Sequence, residues 1–340
     1  MSILMKKPVA VSNIRAKRAK PGLAAQHLTG IKLVSQMCKG SLRGGTIGST
    51  TVSLHPGALV AGDFEADIGT AGSVGLLIQI SFPCMIFGPG PYSVTYKGGT
   101  DAIMAPQLDY FSRVFKPFVS KFGIDFEIEL VRRGFYPRGG GLVRVRTNPV
   151  TSLSAITVEE RGDIVRIDVY AFCSGAVPEN VPKRMSDSAV ALLKKNLDQL
   201  FMIDYHIHLS KETQQTAFGD GTAIMICAQS STGCILAGSS IGEKGKKAEN
   251  VGEEAANHLL KDISYGGCTD EYLQDQIIIF MALAEGNSKV KVGPISEHTS
   301  TSIHYTGMLT GAKFTVTPTQ IEKEHTFWLE CSGIGFKRNN

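Results

Sequence analysis

One order of predicted elements occurs twice along the chain, and this repeat constrains the fold more than any other feature. Apolar spacing predicts helix, strand, helix, strand, strand over residues 73–147, beginning with "SVGLLIQISFPCMIFG" and "YSVTYKG". The same order recurs over residues 271–333, from "EYLQDQIIIFMALAEG" to "TFWLECSG". The repeat predicts an α/β (α+β) fold of repeated units, with a degraded earlier copy at the N-terminus, where helix "AAQHLTGIKLVSQMC" precedes strand "TTVSLHP".

A block of different character separates the two copies. Its predicted elements include the helices "VPKRMSDSAVALLKKNLDQL" and "KAENVGEEAANHLLKDIS" and four strands. Because the repeat resumes afterwards, we predict that residues 159–264 form an inserted smaller α/β domain. Residues 1–158 and 265–340 then form the larger domain. Within it, Pro106 is predicted in the first turn of a helix and Pro117 is predicted to kink that helix.

Composition bounds the class of protein. The hydrophobic fraction is 43% and the charged fraction 19%, as in ordinary globular proteins. The seven cysteines are scattered without a C-x-x-C pair, so we predict buried reduced thiols and neither a disulfide framework nor a zinc site. No apolar stretch reaches the length of a membrane span, and we expect a soluble intracellular protein with no membrane partner.

The distribution of charge is more informative than its sum. The net charge is only +4, but "NIRAKRAKPG" and "VRRGFYPRGGGLVRVRT" concentrate basic residues. Clustered basic residues favour phosphates as partners. A solvated basic face is the alternative for each segment.

Two basic segments carry candidate anion-binding residues. In "RGFYPRGGG", four glycines beside Arg133 and Arg138 would let the backbone approach an anion or an RNA strand; the alternative is a flexible hairpin loop. In the second segment, Arg15 and Arg18 precede the start of a helix that carries Gln26, a setting that suits phosphate.

A histidine and a group of acids are the candidates for chemistry. His298 in "SEHTSTSIHYT" is expected just before a helix and could act as a nucleophile or general base, although single histidines are often structural. Asp270, Glu271 and Asp275 fall at the start of the helix over 271–286. They could cap that helix, or hold a ribose or a divalent ion, and their spacing leaves both open.

Taken together, the motifs resemble the RNA 3′-terminal phosphate cyclases of the eukaryotic type over essentially the whole length. The resemblance rests on "RGFYPRGGG" and "EHTSTSIH". It extends to further blocks in family order: "NIRAKRAKPGLAAQHL", "IGSTTVSLHPG", "DIGTAGSVGLLIQ", "GGTDAIMAPQLDY" and "GGCTDEYLQDQ". It implies βαβαββ-like units similar to the C-terminal domain of translation initiation factor three, plus one inserted smaller α/β domain. It also implies a nuclear location.

The resemblance further implies an activity and a set of site residues. The family converts an RNA 3′-phosphate to a 2′,3′-cyclic phosphate with ATP and Mg²⁺ (or Mn²⁺), through a histidine–AMP intermediate and then an RNA-adenylate. Carried over, His298 is the nucleophile, and the metal ligands stay unknown. The adenylate pocket comprises Gln79, Pro106, Tyr272, Asp275 and Gln276. The residues expected to face RNA phosphate are Arg15, Arg18 and Gln26, to which the hairpin adds Arg133 and Arg138.

One departure from the family pattern affects these expectations. Family members begin with a strand and an "EGGGQ"-like turn, which carries a glutamate linked to metal binding and an arginine near the phosphate. This sequence opens within the helix that follows, at "MSILMKKP". The departure predicts either a shortened chain or impaired activity, and an exposed sheet edge in the first repeat. A non-catalytic cyclase-like scaffold for ribosome assembly is the main alternative, but that branch lacks a histidine at position 298. A small-molecule transferase of related architecture is a third, disfavoured by "RGFYPRGGG".

Overall fold

The computed structural model describes residues 1–197, 202–319 and 325–338. Its strands form four sheets, of three, four, five and four strands. Three of these sheets contain copies of one repeated unit, and the remaining four-stranded sheet belongs to the inserted block. The fold is therefore mixed α/β with repeated units, as the sequence predicts.

The first repeat is a small antiparallel sheet with one helix against it. Its elements are β1 (Val9–Val11), α1 (Ala25–Met37), β2 (Ser41–Arg43) and β3 (Val52–His55). Helix α1 begins where the N–H of Ala24 donates to Nδ1 of His27 (3.2 Å), and it packs inward through Leu33 and Met37. Strand β1 lies at an edge of the sheet order β1-β3-β2, where the sequence predicts an exposed edge.

The second repeat contains a long, strongly apolar helix. Its elements are β4 (Gly62–Asp67), α2 (Val74–Ile86), β5 (Tyr92–Gly98), α3 (Leu108–Tyr110), α4 (Lys116–Val119), β6 (Phe126–Gly134) and β7 (Gly141–Thr147). Ten of the 13 residues of α2 are buried, which agrees with the burial predicted from its nearly all-apolar sequence.

The two prolines of this repeat are placed differently from the prediction. Pro106 precedes the helix, whose N-cap is Gln107. The N–H of Leu108 donates to the carbonyl of Thr100 (2.9 Å), so the chain is still extended at Gln107. Where a kink is predicted at Pro117, the structure has a π-helical turn just before it, over Phe111–Phe115. That turn leaves Pro117 near the start of α4, where its missing N–H needs no partner.

The inserted block follows a short strand, β8 (Thr157–Val158). Its elements are β9 (Ile164–Ser174), α5 (Val181–Leu197), β10 (Asp204–Lys211), β11 (Ala217–Phe218), β12 (Gly221–Ser230), β13 (Ile235–Ile241) and α6 (Ala248–Tyr265). The last three residues of the helix predicted over 181–200 lie outside the described residues. Helices α5 and α6 pack on the sheet β10-β9-β12-β13 and share an apolar core with it. The sheet also contributes Met225, Cys227 and Ala237 to the core of the repeats, so the division into two domains stays a proposal.

The third repeat begins before the inserted block and ends after it. Its later elements are α7 (Glu271–Gln276), α8 (Ile278–Leu283), β14 (Asn287–Val292), α9 (Glu297–Thr310), β15 (Lys313–Pro318) and β16 (Phe327–Ser332). Strand β14 pairs in parallel with β8, giving the order β15-β16-β14-β8. This order matches β6-β7-β5-β4 of the second repeat position by position, and β2-β3-β1 of the first. The N-terminal copy predicted from the sequence is therefore a unit of the same topology with one strand fewer.

Several element boundaries differ from the prediction. The helix predicted over 271–286 is two helices that meet at Ile277. Helix α9 starts at Glu297, so His298 lies in its first turn and not before it. All seven cysteines are buried and free, as predicted. Across the described ranges, no helix combines the length and the apolar character required to cross a membrane.

Candidate active site

A small pocket lies between α2, the helix pair α7–α8, and α9. Its volume is about 320 Å³, within the range of small-molecule sites. Leu76, Phe111 and Ile279 contribute apolar wall. The polar side chains that line it are Gln79, Asp275, Gln276, Ser302 and Thr306. Three of the five residues predicted for the adenylate pocket are therefore brought together here.

Gln276 gives this pocket an unused capacity for hydrogen bonding. Its side chain is 8% exposed, and neither its amide nitrogen nor its amide oxygen has a hydrogen-bond partner among the described residues. Buried polar groups in native proteins are nearly always paired, so both atoms call for an external partner. A ligand that both donates and accepts, such as a nucleobase or a ribose, fits this requirement.

His298 lies next to this pocket, on the helix that forms one of its walls. Ser296 caps α9 by accepting from the N–H of Thr299 (3.1 Å), which places His298 in the first turn. Ser302, one helical turn further along, lines the pocket. Burial raises the pKa of Asp275 to about 7, and the positive charge of His298 opposes that rise. Asp275 and His298 are thus electrostatic neighbours.

Gln274 fixes the helix of Asp275 against the helix of His298. It is 2% exposed, and its Nε2 donates to the carbonyl of Pro294 (3.1 Å) and to Oγ1 of Thr299 (3.1 Å). Sequence reasoning missed Gln274. The available signal was a polar residue beside Leu273 on the buried side of an apolar helix, which is weak without a known partner.

Asp270 caps α7 and connects three parts of the molecule. It accepts from the N–H of Leu273 (2.9 Å), from the hydroxyl of Tyr110 (2.5 Å) and from the N–H of Ala237 (2.9 Å). The ring of Tyr110 meets Tyr272 edge to face at 5.9 Å. Of the two interpretations left open for Asp270, the structure supports the capping role.

Two residues predicted for the adenylate pocket do not line it. Pro106 is buried in the loop before α3, and Tyr272 is 39% exposed beside Tyr110. Their contact with a nucleotide stays a prediction.

A much larger cleft, of about 1340 Å³, adjoins the small pocket. It lies between the first repeat, the second repeat and the inserted block, and Leu76 lines both cavities. Arg15, Arg18 and Gln26 line it, as grouped in the prediction. Oε1 of Gln26 accepts from the N–H of Ser73 (3.0 Å), which ties the first repeat to the start of α2.

Arg133 is the centre of a buried cluster of ion pairs. Its side chain contacts Asp109 (2.6 Å), Glu212 (3.2 Å) and Asp101 (3.6 Å), and its guanidinium stacks on Phe172 (3.8 Å). Burial works to lower the pKa of Arg133, but the three carboxylates outweigh it and raise the pKa. The three ion pairs give Arg133 a structural role, and the contact with RNA phosphate predicted for it stays a prediction.

The glycines of "RGFYPRGGG" also have an internal role. Gly140 has φ +75°, and a Cβ there would lie 2.3 Å from the ring of Phe218. Gly139 has φ +71°, and its Cβ would lie 2.5 Å from the carbonyl oxygen of Thr70. The bare backbone accommodates the protein's own chain, where the sequence suggested a ligand. Arg138 is exposed but is not part of the cleft lining, and its RNA contact stays a prediction.

Comparison with known proteins agrees with this architecture. The fold and the paired cavities define a repeat-built mixed α/β protein with a basic cleft beside a small-ligand pocket. A family model described as "RNA 3'-terminal phosphate cyclase" matches residues 1–316. The chain belongs to the RNA 3′-terminal phosphate cyclase family.

Individual relatives cover nearly the whole chain. A protein of Dictyostelium discoideum named "Probable RNA 3'-terminal phosphate cyclase" is 43% identical over 99% of this chain and 78% of its own length. Proteins named "RNA 3'-terminal phosphate cyclase" from Pyrobaculum aerophilum and Drosophila melanogaster are 36% and 32% identical, over 99% and 98% of this chain. The matches cover 94% and 91% of those relatives.

Proposed function

We propose that this protein uses ATP to convert the 3′-terminal phosphate of RNA to a 2′,3′-cyclic phosphate. The observation that carries the proposal is a small pocket, lined by Asp275 and flanked by His298, that shares a wall with a basic cleft. The names of the family relatives support the same activity. Nuclear location, which the resemblance implies, is part of the proposal.

In the first step, the imidazole of His298 attacks the α-phosphate of ATP. A nitrogen–phosphorus bond forms, the bond to the departing oxygen breaks, and pyrophosphate leaves. Gln79 and Gln276 would hydrogen-bond the adenosine moiety inside the small pocket, whose apolar walls would exclude water from the base. Exposed His298 can be reached by the phosphates while the base is enclosed.

In the second step, the RNA end takes up and then releases AMP. An oxygen of the 3′-phosphate attacks the histidine-bound phosphorus, and the phosphorus–nitrogen bond breaks. The neighbouring 2′-hydroxyl then attacks the 3′-phosphorus, closes the cyclic ester and expels AMP. Arg15 and Arg18, which line the adjoining cleft, would hold the 3′-phosphate through charge-assisted bonds. The need for a 2′-hydroxyl selects RNA over DNA.

A divalent cation is part of this proposal. Mg²⁺ is usually held by one or two carboxylates together with substrate phosphates. Asp275 is a carboxylate that lines the small pocket, and it fits such a role. Within the described residues, no group of three or more histidine, cysteine, aspartate or glutamate side chains is placed to hold a metal alone. When bound, Mg²⁺ or Mn²⁺ would offset the negative charge of the phosphates.

The activity can be tested on a labelled RNA end. RNA with a 3′-phosphate, incubated with the protein, ATP and Mg²⁺, should become resistant to phosphatase and should regain a removable phosphate after acid opens the cyclic ester. A matched oligonucleotide with a 2′-deoxy terminal sugar cannot close the ring, so it should stop at the 3′-adenylate, a phosphatase-resistant product that is larger by one AMP. A ribose end that stays phosphatase-sensitive, or a deoxy end that becomes resistant without gaining AMP, argues against the proposed reaction.

A further inference from the structure

The inserted block contributes a basic wall to the large cleft. The loop before α6 places Lys244, Lys246 and Lys247 on the cleft lining. Lys246 is paired with Glu254. Lys244 and Lys247 are exposed, and neither has an ion-pair partner within the described ranges. Their charge is therefore available to a ligand.

A second wall of the same cleft exposes large apolar side chains. Tyr136 and Met104 are each 82% exposed and Ile103 is 63% exposed, and all three line the cleft. They come from the hairpin turn between β6 and β7 and from the loop before α3. A group of exposed apolar side chains in one cavity marks an interaction site, whereas single exposed ones are common on any protein surface.

The combination of these walls specifies the chemistry of the ligand. Aromatic and apolar side chains stack on unpaired bases, and lysines follow the phosphate backbone; proteins bind single-stranded nucleic acid through this combination. A duplex keeps its bases stacked inside and could use only the lysines. The cleft has room for more than one terminal phosphate, because Arg15 and Arg18 form only part of its lining.

We propose that the unpaired nucleotides preceding the RNA 3′ end bind in this cleft, with phosphates on Lys244 and Lys247 and bases against Tyr136 and Met104. The inference rests on the proposed function, which places the 3′ end near Arg15 and Arg18. It gives the inserted block a role in holding the RNA strand, separate from the nucleotide pocket.

The lysines are tested by direct binding without ATP. The probe is a twelve-nucleotide single-stranded RNA with a 5′-fluorescein and a 3′-phosphate, followed by fluorescence anisotropy at several salt concentrations. For Lys244→Ala/Lys247→Ala we expect affinity to fall about tenfold at low salt. The slope of log affinity against log salt should become shallower by about 1.4, since two phosphate contacts are lost.

A charge-matched control separates these contacts from general attraction. Lys32→Ala/Lys195→Ala removes the same charge from exposed positions outside the cleft lining and should leave the slope unchanged. Equal slopes for the cleft variant and the parent protein would overturn the proposal, as would equal losses in both variants.

The stacking contact is tested at Tyr136. Tyr136→Ala should weaken binding of the same probe about tenfold, and Tyr136→Phe, which keeps the ring, should bind like the parent. The parent should also prefer the probe over an RNA hairpin whose 3′ end is fully base-paired. Equal binding of the hairpin, or an unchanged affinity in Tyr136→Ala, would overturn the proposal.

The outcome can be separated from that of the proposed reaction. Labelling of the protein by ATP carrying a radioactive α-phosphate should be the same in the parent and in all these variants, because none lies in the small pocket. If the parent takes no label but the cleft variants lose RNA binding, the reaction fails and the RNA site stands. If the parent is labelled and the cleft variants bind RNA like the parent, the RNA site fails alone.

Discussion

Arg133 illustrates how neighbouring charges set the role of a single residue. It is the cation for Asp101 and Asp109, both in the second repeat, and for Glu212 in the inserted block. Arg133→Met would leave buried carboxylates without a partner, which costs about 3–5 kcal/mol. We expect a matching loss in the free energy of unfolding, measured with urea.

The control for Arg133 is an exposed ion pair of the same sheet. Arg144 pairs with Glu129 at 3.5 Å on the surface, so Arg144→Met should change the free energy of unfolding by less than about 1 kcal/mol. An Arg133→Met protein that is as stable as the parent but fails to bind RNA would contradict the structural role and support the RNA contact predicted for Arg133.

Asp275 makes stability depend on pH in a defined direction. Burial raises its pKa from 3.8 to about 7. Between these values the folded protein retains a proton that the unfolded chain has released, so the contribution is largest at low pH and is lost as pH rises through about 7. Burial likewise raises the pKa of Asp101, Asp262 and Asp270, which add to the same trend.

This dependence is tested by measuring the free energy of unfolding with urea at pH 5 and at pH 7.5. The parent should lose more stability over this interval than Asp275→Asn, by a difference on the order of 2–4 kcal/mol. Parallel curves for the two proteins would show that Asp275 ionises at its ordinary pKa, and the pocket would then be wetter than the structure indicates.

At the scale of elements, the hairpin between β6 and β7 shows why its turn contains so many glycines. Gly140→Ala would add a methyl group 2.3 Å from Phe218 at a positive φ, and we expect a loss of about 2–4 kcal/mol. Gly219→Ala is the control: φ is +87°, but nothing lies within 4 Å of the added Cβ, so only the backbone strain of about 1 kcal/mol remains. Urea unfolding of both variants measures the difference. Equal losses would show that the contact with Phe218 does not matter.

The same scale shows what the sequence could and could not predict. Apolar periodicity located α2, β5 and the β6–β7 hairpin because each has a regular pattern of its own. It did not predict strands β1 and β2, which are three residues long and have little pattern. It also missed the break at Ile277, where one helix ends and the next begins without a proline or glycine. These features depend on tertiary contacts.

At the scale of the whole molecule, Asp270 joins the inserted block to the repeats. Asp270→Asn keeps the shape but replaces one acceptor oxygen by a donor, leaving the N–H of Ala237 or that of Leu273 unpaired at a cost of about 1–3 kcal/mol. We expect faster hydrogen–deuterium exchange in β13, observed by mass spectrometry of its peptides. Asp187→Asn, in an exposed pair with Lys183, should leave that exchange unchanged.

An unchanged exchange rate in Asp270→Asn would mean that the apolar contacts of Met225, Cys227 and Ala237 hold the block alone.

Long-range contacts of this kind also limit what the sequence can predict about the site. His298, Gln79, Asp275 and Gln276 could be named from motifs, and the structure groups the last three in one pocket. Gln274 and the ion pairs of Arg133 could not, because their partners are 20 to more than 70 residues away along the chain.

The proposed mechanism is tested most directly by measuring whether AMP is transferred from ATP to His298. The protein and His298→Ala are incubated with Mg²⁺ and ATP carrying a radioactive α-phosphate, and then separated on a denaturing gel. We expect an acid-labile, alkali-stable label on the parent protein and none on His298→Ala, with both proteins equally folded. Equal labelling of the two proteins, or no label on the parent, would contradict a histidine–AMP enzyme built on this pocket.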